Sequence, residues 1–154
     1  MSIVFSNEIT VDSVNTIRRM KGWSQIHPQE LQASLDGSSY VVAAYDDDQA
    51  LGVALLLWDG GFKAMITNIL VVPDCQVQGL EKKLIEEILN FLRGKLKPGF
   101  GIQLDIKAWN DEVKMYESIG FQVSTHERRG VPMHICLTDQ IELTDAMFKQ
   151  HGYE

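Results

Sequence analysis

The sequence predicts an α/β (α+β) fold in which a mixed central β-sheet is flanked by helices, with residues 1–154 forming a single domain. Two observations carry that expectation. Three β-rich runs follow one another with only short polar turns between them, as in an antiparallel meander. The third run then leads through a tight loop into an amphipathic helix and a further β-rich run, a strand–helix–strand unit whose two strands should lie parallel in a right-handed crossover. A chain of 154 residues is long enough to bury a sizeable core.

The elements follow in order. Thr10 or Asp12 can cap a first helix that buries Val14, Ile17 and Met20 and closes at Gly22. Pro28 opens a second helix through Leu31 and Leu35, closed by Gly37. The meander comprises "SYVVAAY", "LGVALLLW" and "FKAMITNILVV", separated by "DDDQ" and "WDGG". Leu80, Leu84, Ile85, Ile88, Leu89 and Leu92 then form one apolar stripe, with Glu81, Lys82, Lys83, Glu86, Glu87 and Arg93 on the wet face. Gly94 and Pro98 end that helix, and "GIQLDIK" reads as the next strand. "NDEVKMYESIG" predicts a short helix capped by Asn110 or Asp111, with Val113, Tyr116 and Ile119 on one face and Gly120 at its end. "FQVST" and "PMHICLT" read as two more strands and "TDAMFKQH" as a last helix.

Composition narrows the function. Hydrophobic residues at 45% and charged residues at 23% are the balance of a soluble globular protein. The formal charge of -7 repels phosphate backbones and anionic membranes, so neither nucleic acid nor a membrane is an expected partner; a cationic or neutral small molecule is. Cys75 and Cys136 are too few and too far apart for a disulfide scaffold or a CxxC metal site, which fits reduced thiols. His27, His126, His134 and His151 show no metal-ligand spacing, so no metal is expected. The start "MSIVFSNEIT" lacks a secretory pattern and no apolar run approaches the length of a bilayer span, so a cytoplasmic location is expected.

The chemistry points to the loop after "NILVVP". A loop between a buried strand and a helix offers backbone N–H groups and the positive end of the helix dipole, together an anion site, and Gly79 permits a bend and a close approach there.

This segment resembles motif A of the GNAT superfamily, the acyl-coenzyme A-dependent N-acyltransferases. That motif runs from an apolar strand through Pro and Gln-x-x-Gly-x-Gly/Ala into an amphipathic helix. Here Val71, Val72 and Pro73 are followed by Gln76, Gly79 and Glu81 in the three signature places, and "VKMYESIGF" resembles the family's second block. The likeness, from about residue 2 to residue 137, implies a sheet of six to seven strands, mostly antiparallel with one parallel splayed pair, and about four helices. It implies acetyl-coenzyme A as co-substrate and direct transfer of the acetyl group to the amine of a small molecule or peptide. It also implies that pantetheine lies in the splayed gap, on backbone near Leu70, Val71 and Val72, with the pyrophosphate on Gln76, Val77, Gln78, Gly79, Leu80 and Glu81. Asn110, with Trp109 as rival, matches an asparagine that contacts the coenzyme. Tyr116 matches the tyrosine that protonates the departing thiolate, although a phenol at that helical position serves equally as a core residue. A homodimer is common in the family.

Two residues depart from the pattern. Glu81 stands where the family has Gly or Ala, and Val77 where a basic residue or glycine is frequent. A carboxylate about 6 Å from a phosphate costs about 1.4 to 2.8 kcal/mol per unit charge at an effective dielectric of about 40 to 20. Glu81 therefore either weakens the anion site or, by folding onto the helix N-terminus itself, fills it. The alternative to an enzyme is accordingly a weak or inactive GNAT-fold module that binds a ligand or protein. Asn68 stands where many relatives carry an acid, which leaves the general base unassigned. Trp23, Trp58 and Tyr40 either line an acceptor pocket or pack as ordinary core and hairpin aromatics.

Overall fold

The computed structural model describes residues 2–73, 79–125, 127, 130–133 and 135. The chain divides into two compact units, Met1–Lys107 and Ala108–Glu154.

The first unit is a five-stranded sheet in the order β1-β2-β3-β4-β5, with β1 at Ile3–Ser6, β2 at Tyr40–Asp46, β3 at Gln49–Trp58, β4 at Lys63–Val71 and β5 at Gln103–Asp105. The first four strands pair antiparallel and β5 joins β4 in parallel, as the strand–helix–strand pattern requires. β1 was not among the predicted elements; its four residues form an edge strand held by backbone pairing to β2. β5 is shorter than "GIQLDIK" suggests.

Helices cover both faces. α1 (Val11–Met20) starts at Thr10, whose hydroxyl accepts from Ser13 N at 3.1 Å, one of the two predicted caps. Val14 and Ile17 are buried, whereas Met20 is 50% exposed, so the apolar stripe stops a turn earlier than predicted. α2 (Pro28–Gly37) buries Leu31 and Leu35 and is capped by His27, whose Nδ1 accepts from Gln29 N at 3.2 Å. α3 (Leu80–Arg93) lies against β2, β3 and β4, burying Leu80, Leu84, Ile85, Ile88 and Leu92, each contributing roughly 1.5 to 3 kcal/mol. Its C-terminal half stacks Phe91 on Tyr40 at 4.2 Å and edge-on to Trp58 at 6.3 Å. Those two aromatics are thus packing residues of the hairpin side.

A single extra residue organises the site end of the sheet. On β3 and β4, Leu56 pairs with Ile66 but its neighbour Leu55 pairs with Asn68, which leaves Thr67 as a bulge. Cross-strand partners share a face, so the bulge reverses the alternation of β4. Beyond it Val71 turns to the α3 side, the side on which a Cβ at Gly52 would meet both Val71 and Leu84, while Asn68 and Leu70 turn to the α1–α2 side.

The second unit contains α4 (Val113–Ile119), which ends at Gly120 in the left-handed region (φ 119°). Its N-cap is Glu112, not Asn110 or Asp111, which lie in the preceding turn; the Glu112 carboxylate accepts from Trp109 N at 3.0 Å. Among the described residues, 121–125 have no strand pairing, which differs from the expectation for "FQVST". Most of "PMHICLT" and all of "TDAMFKQH" lie outside the described residues.

Candidate active site

β4 and β5 are hydrogen-bonded only where Lys63, Ala64 and Met65 face Gln103, Leu104 and Asp105. β4 continues for six residues past the last pair, and among the described residues that side of Ile66–Val71 has no strand partner. The bulge at Thr67 sits two residues beyond the last β4–β5 pair, and a bulge increases local twist. A splayed parallel pair, implied by the family resemblance, is what the register displays.

The alternation of an antiparallel ladder decides which backbone groups face the gap. Val72 N donates to Leu51 O at 2.8 Å, so Val72, and Leu70 two residues before it, direct their N–H and C=O towards β3. Val71 and Ile69 direct theirs to the open side. Of the stretch Leu70 to Val72, Val71 therefore supplies polar backbone to the gap, and Ile69 joins it. Only the bulge, invisible without the partner strand, fixes that parity.

At the end of β4 the chain passes through residues 74–78 to the start of α3. Gln76, Val77 and Gln78 lie outside the described residues, as do Cys75 and Cys136. Gly79 is the N-cap of α3 with φ 75°, a conformation that costs a residue with a Cβ about 1 to 2 kcal/mol. It has no side chain with which to cap, and its carbonyl accepts from Lys83 N at 3.1 Å. Leu80 is 1% exposed and anchors the first turn in the core. Glu81 is half-buried at the second helical position. A Cβ placed on Gly52 of β3 would stand 2.9 Å from Leu70 O and 3.1 Å from Leu84 Cδ1, so α3 packs closely on β3 and β4 at this end of the sheet.

In the second unit, Tyr116 is 3% exposed and meets Phe121 edge-on at 5.7 Å. Asn110 is exposed in the turn before α4.

On the α1–α2 face, the sequence reading missed two residues. Among the described residues, Asn15 and Arg18 are the buried polar side chains that are not aromatic, at 6% and 2% exposure. Asn15 makes a two-pronged bond to Ile26, donating to its O at 2.9 Å and accepting from its N at 3.0 Å. Arg18 Nε donates to Ser24 O at 2.7 Å, and its guanidinium lies 5.4 Å from the Trp23 ring centre. Together they pin the segment between α1 and α2. The signal was present: 14, 15, 17 and 18 share one helical face, so Asn15 and Arg18 occupy core-facing positions. Beside them is a cavity of about 30 Å³ lined by Arg18, Leu31, Ser34, Leu55, Asn68 and Leu70 among others. Among the described residues no group of His, Cys, Asp and Glu could hold a metal ion, and no helix is long and apolar enough to cross a membrane.

The comparisons with known proteins agree with this fold. Residues 8–139 match the family model described as an acetyltransferase (GNAT) domain, a match that runs through both units. "Probable acetyltransferase TAP2" of Glycine max is 29% identical over 143 residues, covering 84% of this chain and 55% of that protein. "Serotonin N-acetyltransferase 2, chloroplastic" of Oryza sativa subsp. japonica is 23% identical, covering 84% of this chain and 64% of that protein. The chain thus spans between half and two thirds of the length of these relatives. Among solved structures, a probable acetyltransferase from meticillin-resistant Staphylococcus aureus superposes with a TM-score of 0.75 at 20% identity, over 88% of this chain and 100% of that one. The ribosomal-protein-S18-alanine N-acetyltransferase of Escherichia coli superposes with a TM-score of 0.64 at 21% identity, over 80% of each chain. At these identities the structures establish the shared fold. With the family model matching most of its length and the fold in agreement, the chain belongs to the GNAT acetyltransferase family.

Proposed function

We propose that this chain, as a single GNAT-type domain, is an N-acetyltransferase that moves an acetyl group from acetyl-coenzyme A to the amine of a small molecule or peptide by direct attack. The observation that carries the reading is the edge of β4 at Ile66–Val71, which has no strand partner among the described residues, followed by a helix that begins at a left-handed glycine. Both features fit the coenzyme. Pantetheine amides need an unpaired strand edge, which Ile69 and Val71 offer, and a diphosphate needs backbone N–H groups at a helix start.

When bound, acetyl-coenzyme A supplies an activated thioester carbonyl. The chain's own part is to hold that carbonyl and the amine together, so positioning gives most of the acceleration. Val71 N–H is directed to the open side, where it can stabilise negative charge developing on the carbonyl oxygen. Tyr116 is the proposed proton donor to the departing sulfur. The amine nitrogen bonds to the carbonyl carbon as the carbon–sulfur bond breaks. Asn68 cannot act as a general base, so the amine arrives deprotonated or loses its proton to solvent. No covalent enzyme intermediate is needed, and the thiols have no nucleophilic role.

Glu81 supports a second reading, a GNAT-fold module with weak or no turnover, because its carboxylate lies in the first turn of α3, where a phosphate would bind. Calorimetric titration of acetyl-coenzyme A into the parent and Glu81→Gly separates the two. The enzyme reading expects binding by the parent and about ten- to a hundredfold tighter binding by the variant. No binding by the parent at millimolar coenzyme supports the module, and no gain in the variant removes the electrostatic argument.

A further inference from the structure

Asn68 is the first paired residue of β4 after the bulge, it is half-buried, and it lines the cavity of about 30 Å³ on the α1–α2 face. Among the described residues no hydrogen bond engages its side chain, so a primary amide, with an acceptor and two donors, faces the cavity with that capacity unused. Most of the remaining wall is apolar, including Val14, Leu31, Leu55 and Leu70; Ser34 borders it, as does Arg18, whose Nε is bonded to Ser24 O. Among the described residues that line the cavity none is Asp, Glu or His. Such a wall receives a neutral polar group readily and an ammonium poorly, because charge moved from water into apolar surroundings costs far more than a hydrogen bond to an amide returns. Leu70, on the same wall, adjoins Val71, whose N–H is directed to the proposed transfer site.

We infer that Asn68 is the acceptor-binding residue, its Oδ1 accepting an N–H of the amine, and that the acceptor is a weakly basic amine of the α-amino kind, bound uncharged, in preference to an alkyl amine such as a lysine ε-amine. The inference rests on the acetyltransferase reading and names its substrate class. An N–H given to Oδ1 leaves the nitrogen lone pair free for attack. Attack by a neutral amine forms the nitrogen–carbon bond, breaks the carbon–sulfur bond and moves one proton from nitrogen to sulfur, so the step balances without a base. An ammonium brings a further proton and needs a base to take it. At about pH 7.5 an amine with the ordinary α-amino pKa of about 7.7 to 8.0 is roughly 25 to 40% neutral, whereas one with a pKa of about 10.4 is roughly 0.1% neutral. The neutral pool thus favours the α-amine by about two to three hundredfold. The greater nucleophilicity of the stronger base offsets that only in part.

The test is thiol release from acetyl-coenzyme A by the full chain with matched acceptors: amino-acid amides, which carry an α-amine, and the alkyl amines with the same side chains but no carboxamide. At about pH 7.5, kcat/KM for at least one amide should exceed that for its alkyl amine by about tenfold or more. For each acceptor, log kcat/KM should rise with unit slope and level off at that amine's own pKa, so the break moves with the amine. Asn68→Asp puts a carboxylate of the same shape on the wall, which accepts an ammonium and its surplus proton, so the preference should narrow several-fold. Urea unfolding with an unchanged slope shows that the variant keeps the fold. Equal or reversed preference in the parent, a break at one pH for amines of different pKa, an unchanged preference in folded Asn68→Asp, or coenzyme binding without turnover of any amide would overturn the inference. Acetyl-coenzyme A that fails to bind in calorimetry counts against the acetyltransferase reading instead.

Discussion

Gly52→Ala is the substitution with the most direct structural consequence. Gly52 lies on β3 opposite Val71 of β4, and a Cβ built on it would stand 2.9 Å from Leu70 O, 3.1 Å from Leu84 Cδ1 and 3.3 Å from Val71 Cγ2. The first distance is shorter than real Cβ atoms show, and the atom concerned is backbone, which cannot rotate aside. Either β4 or α3 must shift. Overpacking of this kind costs about 1 to 3 kcal/mol. With about 2 to 4 °C per kcal/mol for a chain of this size, the melting temperature should fall by about 2 to 12 °C. Because Leu70 and Val71 border the open edge, acetyl-coenzyme A should also bind more weakly to the variant. Gly37→Ala is the control: nothing lies within 4 Å of its Cβ and the residue ends a helix, so neutrality or a gain of about 0.4 to 1 kcal/mol is expected. Urea unfolding with an unchanged slope checks both. A Gly52→Ala variant as stable as the parent would refute the close packing of α3 on β3 and β4.

Three further outcomes are expected. Asn15→Leu removes both hydrogen bonds to Ile26 and leaves its backbone groups to find other partners, which should cost about 1 to 3 kcal/mol in urea unfolding. Tyr116→Phe keeps the ring against Phe121, so with the proton-donor role the maximal rate should fall about a hundredfold at an unchanged KM for acetyl-coenzyme A, measured by thiol release. The Tyr45 phenol is raised above 10.0 by burial and then by the negative charge of Glu8, so its contribution to stability is fully present below pH 10.0 and is lost as pH rises through the folded value. Tyr45→Phe, which loses the bond to Glu8 O, should start less stable but show a shallower alkaline decline in urea midpoints from about pH 8 to about pH 11.

Much of the fold was legible because it is written in local chemistry. Thr10 and Pro28 announce the starts of α1 and α2, and the stripe from Leu80 to Leu92 needs only a 3.6-residue period. The three meander strands stand out because their turn residues separate β-rich runs. What stayed hidden depends on partners. β1 is four residues long and takes its conformation from β2. The Thr67 bulge exists only relative to β3, yet it decides that Ile69 and Val71 face the gap while Asn68 and Leu70 face the cavity. At the site, Gly79 could be read from its place before an amphipathic helix. Arg18 and Asn15 were passed over because charged and amide side chains are expected in water, although their helical positions point inward.

Amide hydrogen exchange with and without acetyl-coenzyme A tests the central claim most directly, namely that the far edge of β4 is open and holds the coenzyme. In the free protein the Val72 amide should be protected by its bond to Leu51, while the Ile69 and Val71 amides exchange readily; saturating acetyl-coenzyme A should slow those two. Ile69 and Val71 amides already as protected as that of Val72 in the free protein, or unaltered by the coenzyme, would contradict the account.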